Sequence, residues 1–302
     1  MAEVSKTGYA TSYVNHNKEL IIVLIFTQII VMNNMLNTIQ RLTIRISRNS
    51  LSFSAVQVTP EGTKVIFEPY VIKSGISMAA NLREAFKTAE LPMRGYKRAM
   101  VMIDEQVLMV PLDLFDSQKM EDIYYHSFPR TEEQRVVMAN PLTDLNAVAV
   151  FSVNRDLRLV LTDHFADVRF ATVSTPVWRH LYQRNFTGAR AKLYVHFHDK
   201  RMEVFAFNQN RFRYCNSFPA QHTNDILYDL LGIWNILSMD VDTDELYVTG
   251  ENSEKEQLLN ELKKYLQRVY FINPAGDFNR APVTQIEGMP YDLMTYYVRG
   301  KH

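Results

Sequence analysis

The chain contains one pattern twice, and this duplication limits its fold more than any other feature of the sequence. Residues 41–47 alternate strictly between apolar and polar side chains, which is typical of a strand with one buried face. Turn residues separate this strand from two more, and a segment of helical period follows. The second copy has the same order of elements. The predicted strands are 41–47, 51–58, 64–72, 192–198, 202–207 and 211–218, and the predicted helices are 74–91 and 222–239.

Further elements lie between and after the two copies. Residues 98–111 predict a hairpin that turns at Asp104–Glu105, and Asn154 is the predicted N-cap of an amphipathic helix. The other predicted strands are 134–140, 147–153, 168–173, 245–249 and 270–272, and the other predicted helices are 116–128, 155–165, 176–184 and 253–267. We therefore predict a mixed α/β protein with two lobes, residues 38–175 and 176–302, in which residues 98–166 form an insert-like subdomain of the first lobe.

The composition excludes several classes of function. The 302 residues include 33 Lys and Arg and 33 Asp and Glu, so the formal net charge is zero. Nucleic-acid binding through bulk electrostatics needs a clustered excess of cations, and we expect no nucleic-acid partner. The single cysteine, Cys215, excludes an intramolecular disulfide framework and a cysteine-based zinc site.

Residues 1–34 differ from the rest of the chain. A polar stretch without a period precedes a short apolar run, residues 21–32. This run is too short to span a bilayer, which needs about 20 residues, so we expect no transmembrane anchor. Three interpretations stay open: a non-native or poorly ordered extension before a true start at Met35, a buried strand or helix, or an export signal. We expect a chain that begins at Met35 to fold as well as the full chain.

Three stretches carry a resemblance to the actin-like ATPase (ribonuclease-H-like) superfamily. Residues 42–56 lie where that superfamily has its first phosphate loop, residues 192–219 lie where it has its second, and residues 245–266 resemble its adenosine motif. The order of elements over residues 40–295 is similar as well. Within the superfamily, the chain resembles PilM and FtsA, and more narrowly a bacterial family of unknown function. The resemblance implies a duplicated actin-like fold with two lobes.

The superfamily's phosphate-loop residues are replaced in this chain. The resemblance places an Asp-x-Gly pattern at each loop, but Arg45 and Ser47 stand in the first and His196 and His198 in the second. Mg²⁺ requires oxygen ligands, which the missing aspartates would supply. Glycines let backbone N–H groups approach a phosphate without a side-chain clash. The resemblance therefore implies an actin-like fold that has lost hydrolysis.

The adenosine motif has changed too, since Gly250 alone remains of its glycines and Glu251 follows it. We expect no cofactor, and a non-catalytic scaffold or adaptor that binds protein partners in the cytoplasm. The alternative is a nucleotide-binding or weakly ATP-hydrolysing protein with an altered site, in which Arg45 takes a phosphate and ATP with Mg²⁺ is the cofactor. Whether the chain is an enzyme stays open at this point.

Two histidines invite a second hypothesis. His196 and His198 are two residues apart on a predicted strand, so they share a face and could chelate a metal ion. A third ligand, such as His180 or His222, would have to come from elsewhere in the fold. The interpretation that we favour is a pair of ordinary histidines that face the cleft between the lobes, with no metal.

The resemblance also implies a contact surface, because FtsA and PilM recruit other proteins, PilM by holding a short peptide on one lobe. The insert-like block 98–166 is our candidate docking region, since the edge of its predicted hairpin could accept an added strand. Met109 and Phe115 are the candidate partner-binding residues, and we expect their side chains to be exposed. Alternatively, both residues pack against the helix predicted at 117–128.

Overall fold

The computed structural model describes residues 40–60, 62–209 and 211–299, and of Arg299 it describes only the backbone. The N-terminal extension, residues 1–34, and the start expected at Met35 lie outside these residues, so the expectations about them stay predictions. In the described part of the chain, no helix is both long enough and apolar enough to cross a membrane.

The first copy of the repeated pattern forms a five-stranded mixed sheet together with two later strands. β1, in the middle of this sheet, buries its apolar side chains Leu42 and Ile44 completely. The first three strands pair antiparallel, as the predicted meander requires, and the two later strands run parallel to β1. In chain-order numbering the strands are β1 (Arg41–Ile46), β2 (Leu51–Thr59), β3 (Gly62–Tyr70), β4 (Arg98–Ile103) and β8 (Asp167–Thr172), in the sheet order β3-β2-β1-β4-β8.

The second copy forms a sheet of the same topology. An antiparallel meander again supplies three strands, and two later strands are parallel to the central one. The strands are β9 (Lys192–His198), β10 (Arg201–Asn208), β11 (Arg211–Pro219), β12 (Glu245–Gly250) and β13 (Val269–Phe271), in the order β11-β10-β9-β12-β13. The match between the two sheets confirms the predicted duplicated α/β fold.

A third, smaller sheet is antiparallel and lies within residues 107–154. Its strands are β5 (Val107–Pro111), β6 (Arg135–Leu142) and β7 (Ala147–Asn154), in the order β5-β7-β6. The hairpin predicted for residues 98–111 is therefore wrong, because β4 pairs with β1 and β8 while β5 pairs with β7. A period-2 pattern identifies a strand but does not identify its partner.

Nine α-helices connect and cover the sheets of the described residues. Asn154 caps the fourth, as predicted: its side-chain oxygen accepts hydrogen bonds from the backbone N–H groups of Asp156 and Leu157 at 2.9 and 3.0 Å. The helices are α1 (Met78–Thr88), α2 (Glu90–Met93), α3 (Met120–Ser127), α4 (Arg155–His164), α5 (Thr175–Asn185), α6 (Thr223–Ile236), α7 (Lys255–Leu262), α8 (Pro274–Asp277) and α9 (Tyr291–Arg299).

Separate apolar clusters hold these layers together. The first sheet packs on α1 and α4, and the second sheet packs on α6 and α7. A further cluster, around the fully buried Trp178 of α5, lies on the opposite face of the second sheet and also receives residues of the small sheet and of α9. The C-terminal helix α9 reaches the first sheet, where the Tyr297 hydroxyl contacts the hydroxyls of Thr43 and Ser54 at 3.1 and 3.0 Å. This arrangement places the end of β1, the end of β9 and the start of α9 side by side.

Candidate functional site

The site begins at the turn between β1 and β2. In the resemblance to the actin-like superfamily, this turn lies at the position of the first phosphate loop. Ser47 follows β1 and is buried. Its hydroxyl oxygen accepts hydrogen bonds from the backbone N–H groups of Asn49 and Ser50 at 3.3 and 3.1 Å. It also lies 2.8 Å from the Ser50 hydroxyl oxygen. Ser47 therefore closes this turn with its own side chain, whereas a glycine would leave the backbone N–H groups open to a ligand.

Arg45, on β1, is buried against two acidic partners, Asp292 and Asp199. Its guanidinium donates from Nε and from a terminal nitrogen to the two carboxylate oxygens of Asp292, each at 2.9 Å. The same terminal nitrogen also forms an ion pair of 2.7 Å with Asp199, and the other terminal nitrogen donates to the Ser50 hydroxyl at 3.1 Å. The side chains of Arg45 and Asp292 are 3% and 0% exposed. Burial alone would lower the pKa of Arg45, but the charges and hydrogen bonds of Asp292 and Asp199 outweigh it and raise that pKa.

The turn between β9 and β10 lies at the position of the second phosphate loop, and it contacts the first turn directly. Asp199 and Lys200 form it, and both have left-handed backbone conformations, with φ of 45° and 62°, as a two-residue hairpin turn of this kind requires. The Ser50 hydroxyl donates to Asp199 at 2.8 Å. Burial acts to raise the pKa of Asp199, but His198 and Arg45 hold it well below its usual range. A charged Asp199 thus ties the second turn to the first.

His196 and His198 lie on β9 itself, before the turn, and are 1% and 6% exposed. Burial, together with the positive charges of His198 and Arg45, lowers the pKa of His196 well below its usual value. Burial would lower the pKa of His198 too, but its carboxylate neighbours raise it. Asp104 and Asp199 lie 3.7 and 3.9 Å from its Nδ1. The two histidines are adjacent, with ring centroids 4.8 Å apart.

Glu203 of β10 lies directly opposite His196 in the strand register and is 4% exposed. Burial raises its pKa to about 7, against the opposing effect of the His198 charge. Neither His180 nor His222, the third ligands considered from the sequence, belongs to the described groups that could hold a metal ion. The side chains that do approach the two histidines are Asp104, Asp199 and Glu203.

Gly250 ends β12 for a reason that involves no ligand. Its φ is +85°, and a Cβ atom placed on it would lie 2.0 Å from the carbonyl oxygen of Phe197 on the neighbouring strand. Glu251, which follows, is exposed, and its backbone N–H donates to the same carbonyl at 3.2 Å. The close approach of β9 and β12 therefore requires a glycine here. The packing of the two strands explains why a glycine is present, without a role in adenosine binding.

Two cavities adjoin these residues. A cleft of about 960 Å³ lies beside both turns and carries charges of both signs, including those of Arg48, Asp104, Lys200 and Arg201. A second cavity of about 420 Å³ is lined by Arg45, both histidines and Glu251, together with Tyr291 and Asp292 of α9. The structure therefore brings all six predicted nucleotide-site positions to the region around these turns.

The sequence did not indicate several residues that dominate the site. Asp292 and Tyr291 begin α9, where the sequence pattern predicts no helix, and Asp104 follows β4. Glu203 sits two residues after the start of a strand that was predicted. The signal for Glu203 was available, because an acidic residue within an otherwise apolar strand, MEVFAF, is unusual in a sheet covered on both faces.

Met109 and Phe115, the predicted partner-binding residues, are not exposed as expected. Both are half-buried. Met109 packs against the apolar cluster that contains Trp178, and Phe115 packs against the cluster of the small sheet that contains Tyr124 of α3. The expectation of exposed side chains is wrong because each of the two side chains packs against one of these apolar clusters. Their role in partner binding stays a prediction.

The duplicated sheets, joined at two facing turns, define a protein of actin-like ATPase fold. A crystal structure from Bacteroides thetaiotaomicron VPI-5482, described as a protein with actin-like ATPase fold and unknown function, is 28% identical to this chain, with a TM-score of 0.73. The match covers 84% of this chain and 99% of that one. The family described as "Protein of unknown function (DUF3822)" matches residues 33–269, and the chain belongs to this family.

A more distant likeness confirms the fold. The structure of the PilM-PilN type IV pilus biogenesis complex matches with a TM-score of 0.53 and 11% identity, over 86% of this chain and 95% of the other. No protein with a curated description matches the sequence. The resemblance to an actin-like family of unknown function is therefore confirmed, and the activity has to be argued from the site.

Proposed function

We propose that this chain is a non-catalytic actin-like scaffold or adaptor that binds protein partners. The observation that carries the proposal is the ion pair between Arg45 and Asp199, reinforced by Asp292. The resemblance implies that nucleotide and Mg²⁺ bind between the two phosphate loops in proteins of the superfamily. Here Arg45 of β1 and Ser50 of the first turn both contact Asp199 of the second turn, so the two turns are held together without a nucleotide.

The charge on Arg45 is already matched within the protein. Two carboxylates contact one guanidinium, so a phosphate would have to displace an acidic partner and would meet the negative charge of the other. The position cannot hold Mg²⁺ either, because a guanidinium offers no oxygen ligand. Both features of Arg45 disfavour the alternative in which it takes a phosphate.

The proposal includes three further points that rest on analogy with the actin-like relatives. The first lobe comprises residues 38–175 and the second residues 176–302, with an insert-like subdomain at 98–166. The scaffold works in the cytoplasm, and its partners are proteins, as PilM is found in a complex with PilN. Met109 and Phe115 remain the proposed partner-binding residues of the docking region.

A nucleotide titration tests the absence of catalysis. A ligand at 100 times its dissociation constant stabilises a protein by about 2.7 kcal/mol, so bound nucleotide would be easy to detect. We expect no change in the thermal midpoint with millimolar ATP, with or without Mg²⁺, and no ATP hydrolysis above background. A clear shift that depends on Mg²⁺ would contradict the proposal.

The open cleft of about 960 Å³ favours one second candidate, a nucleotide-binding protein that uses this space instead of the Arg45 position. If ATP does stabilise the chain, Lys200→Ala should remove the stabilisation, because Lys200 is exposed and lines the cleft. Lys263→Ala is the control, since Lys263 does not line it. Equal stabilisation of both variants would place the nucleotide elsewhere.

A surface substitution tests the docking region. An open groove of about 530 Å³ lies between β5 and α3, and its lining includes Met109, Leu114 and Ile123. Leu114 is 73% exposed, so Leu114→Lys should leave folding intact, whereas Leu159→Lys, at a 45% exposed position on α4, is the matched control. In cross-linking from the native cell, we expect Leu114→Lys alone to lose the partners that the unmodified protein recovers. Recovery of the same proteins in the same amounts would show that this surface is the wrong one.

A further inference from the structure

Three side chains form a compact group on one face of the second sheet. His196 and His198 are two residues apart on β9 and therefore project from the same face. Glu203 lies directly across from His196 on the antiparallel strand β10. This face looks away from the core that α6 and α7 cover, because the intervening residues Val195 and Phe197 belong to that core.

The polar atoms of this group are buried and lack hydrogen-bond partners. Both ring nitrogens of His196, Nδ1 of His198 and one carboxylate oxygen of Glu203 have none within the described residues. All three residues are at most 6% exposed. Buried polar groups in native proteins are almost always hydrogen-bonded, because each one that is left without a partner destabilises the fold. The unpartnered ring nitrogens of His196 and the unpartnered Glu203 oxygen, on neighbouring strands, indicate a bound species that contacts both side chains.

The donor set identifies the class of that species. One ligand atom from each of the three side chains can be chosen so that all lie within 4.8 Å of one another. Two imidazoles and one carboxylate suit zinc and related first-row metals, whereas Mg²⁺ and Ca²⁺ prefer oxygen ligands throughout. We propose that His196, His198 and Glu203 together bind one divalent transition-metal ion, with zinc as the best fit.

The distances leave a small adjustment to be made. A tetrahedral ion with bonds of about 2.0–2.1 Å brings its ligand atoms to about 3.4 Å from one another. The ligand atoms, which lie within 4.8 Å of one another, therefore have to approach one another by about 1 Å to bind the ion. Three protein ligands leave a fourth tetrahedral position for a water molecule.

The surroundings resemble those of a metal centre in two further respects. Asp104 and Asp199 face Nδ1 of His198 at 3.7 and 3.9 Å, so Nε2 is left to bind the ion. A carboxylate that contacts the second nitrogen of a ligating histidine is the usual means of fixing its tautomer and orientation. The cavity of about 420 Å³ is lined by both histidines and gives an ion a route to the group.

The proposed ion has a structural role next to the salt bridge of Arg45. It joins β9 to β10 at the strand ends that lead into the Asp199–Lys200 turn, and it adds a fixed positive charge beside Asp104 and Asp199. The inference does not depend on the scaffold proposal, because it concerns the stability of the fold and neither partners nor nucleotide.

The test uses the purified full-length chain without a polyhistidine tag. After treatment with a chelator, the protein is titrated with Zn²⁺ alone and, separately, with Co²⁺ alone. We expect a single bound Zn²⁺ ion per chain, a rise in the thermal midpoint, and the visible absorption of a tetrahedral Co²⁺ centre. Absence of bound metal after the titration would overturn the proposal.

Variants decide which residues bind the ion. His196→Gln and Glu203→Gln should each weaken Zn²⁺ binding by more than about tenfold, and Asp104→Asn by about tenfold with the ion still bound. His222→Gln is the control, because His222 is exposed and outside the group. Glu203→Gln is nearly the same size as the native side chain, so it keeps the test decisive if His196→Gln does not fold. Equal Zn²⁺ affinity in Glu203→Gln and the unmodified chain would overturn the assignment.

Discussion

At the scale of single residues, Gly250 shows how a residue that resembles a ligand-binding glycine can serve the backbone instead. Its positive φ is a backbone conformation that L-residues rarely adopt, and the nearby Phe197 carbonyl leaves no room for a side chain. β12 and β9 are adjacent parallel strands, and Gly250 pairs with Phe197 in their register. The glycine therefore maintains the strand pair that carries His196, whether or not a ligand binds near it.

We predict that Gly250→Ala destabilises the protein by about 1–3 kcal/mol or more, because a left-handed conformation strains an alanine and its Cβ would clash with backbone. Urea unfolding gives the free energy. Gly232→Ala is the matched control, since Gly232 lies within α6 with nothing within 4 Å of an added Cβ. That change should stabilise the helix by about 0.5–1 kcal/mol. If the Gly250→Ala variant were as stable as the Gly232→Ala variant, the close approach of Gly250 to the Phe197 carbonyl would be contradicted.

At the scale of elements, one buried carboxylate connects three helices. Asp277, at the end of α8, contacts His180 and Arg184 of α5 and Tyr291 of α9, and its side chain is 2% exposed. The contacts to His180 and Tyr291 are each 2.7 Å long. Burial alone would raise the pKa of Asp277, but the hydrogen bonds from these partners lower it to about 2. α5 and α9 are thereby fixed against each other beside the site.

This shift predicts a dependence of stability on pH. An aspartate in the unfolded chain has a pKa of about 3.9, so between that value and about 2 the unfolded state binds more protons. The contribution of Asp277 is therefore fully present above about pH 5 and is lost as the pH falls toward 2, by roughly 2–3 kcal/mol. Asp277→Asn should lower the free energy of unfolding at neutral pH and flatten its fall in acid.

Asp144→Asn is the control and should change stability little. The Asp144 side chain is 48% exposed and pairs with Arg179, which is on α5. Parallel acid profiles for Asp277→Asn and the unmodified chain would contradict the assignment.

The elements also differ in how far the sequence predicts them. The meander strands could be predicted because strict alternation fixes both the strand and its buried face, as in residues 41–47. α9 could not, since Tyr, Thr and Val are frequent in its sequence and favour strands, and only tertiary packing against the first sheet selects a helix. Arg45, His196 and Gly250 could be placed at the site through the resemblance. Their partners Asp292 and Asp104 could not, because no local pattern links residues so far apart in the chain.

At the scale of the whole molecule, the contacts of Arg45 connect the start of the described chain to its end. Arg45 and Asp292 are 247 positions apart in sequence, and Asp199 belongs to the turn of the second sheet. β1, the β9–β10 turn and α9 thus meet at one guanidinium. A buried ion pair of this kind adds little net stability over an apolar substitute, but removal of one partner leaves the other charge buried and unmatched. The pair therefore specifies how the parts fit together more than it strengthens them.

We predict that Arg45→Met destabilises the protein by about 3–5 kcal/mol, because Asp292, which is completely buried, loses its bidentate partner. The double variant Arg45→Met with Asp292→Asn should recover a large part of this loss, since the unmatched charge is then absent. Arg211→Met is the control, because Arg211 and Asp113 form an exposed ion pair of 3.5 Å, 56% and 54% exposed, and such pairs contribute about 1 kcal/mol or less. Urea unfolding of the unmodified chain, the single variants Arg45→Met and Asp292→Asn and their double variant measures the coupling between the two positions. If Arg45→Met unfolds at the same urea concentration as Arg211→Met, or if Asp292→Asn recovers nothing, the guanidinium does not join the two sheets and the C-terminal helix in the way that the scaffold proposal requires.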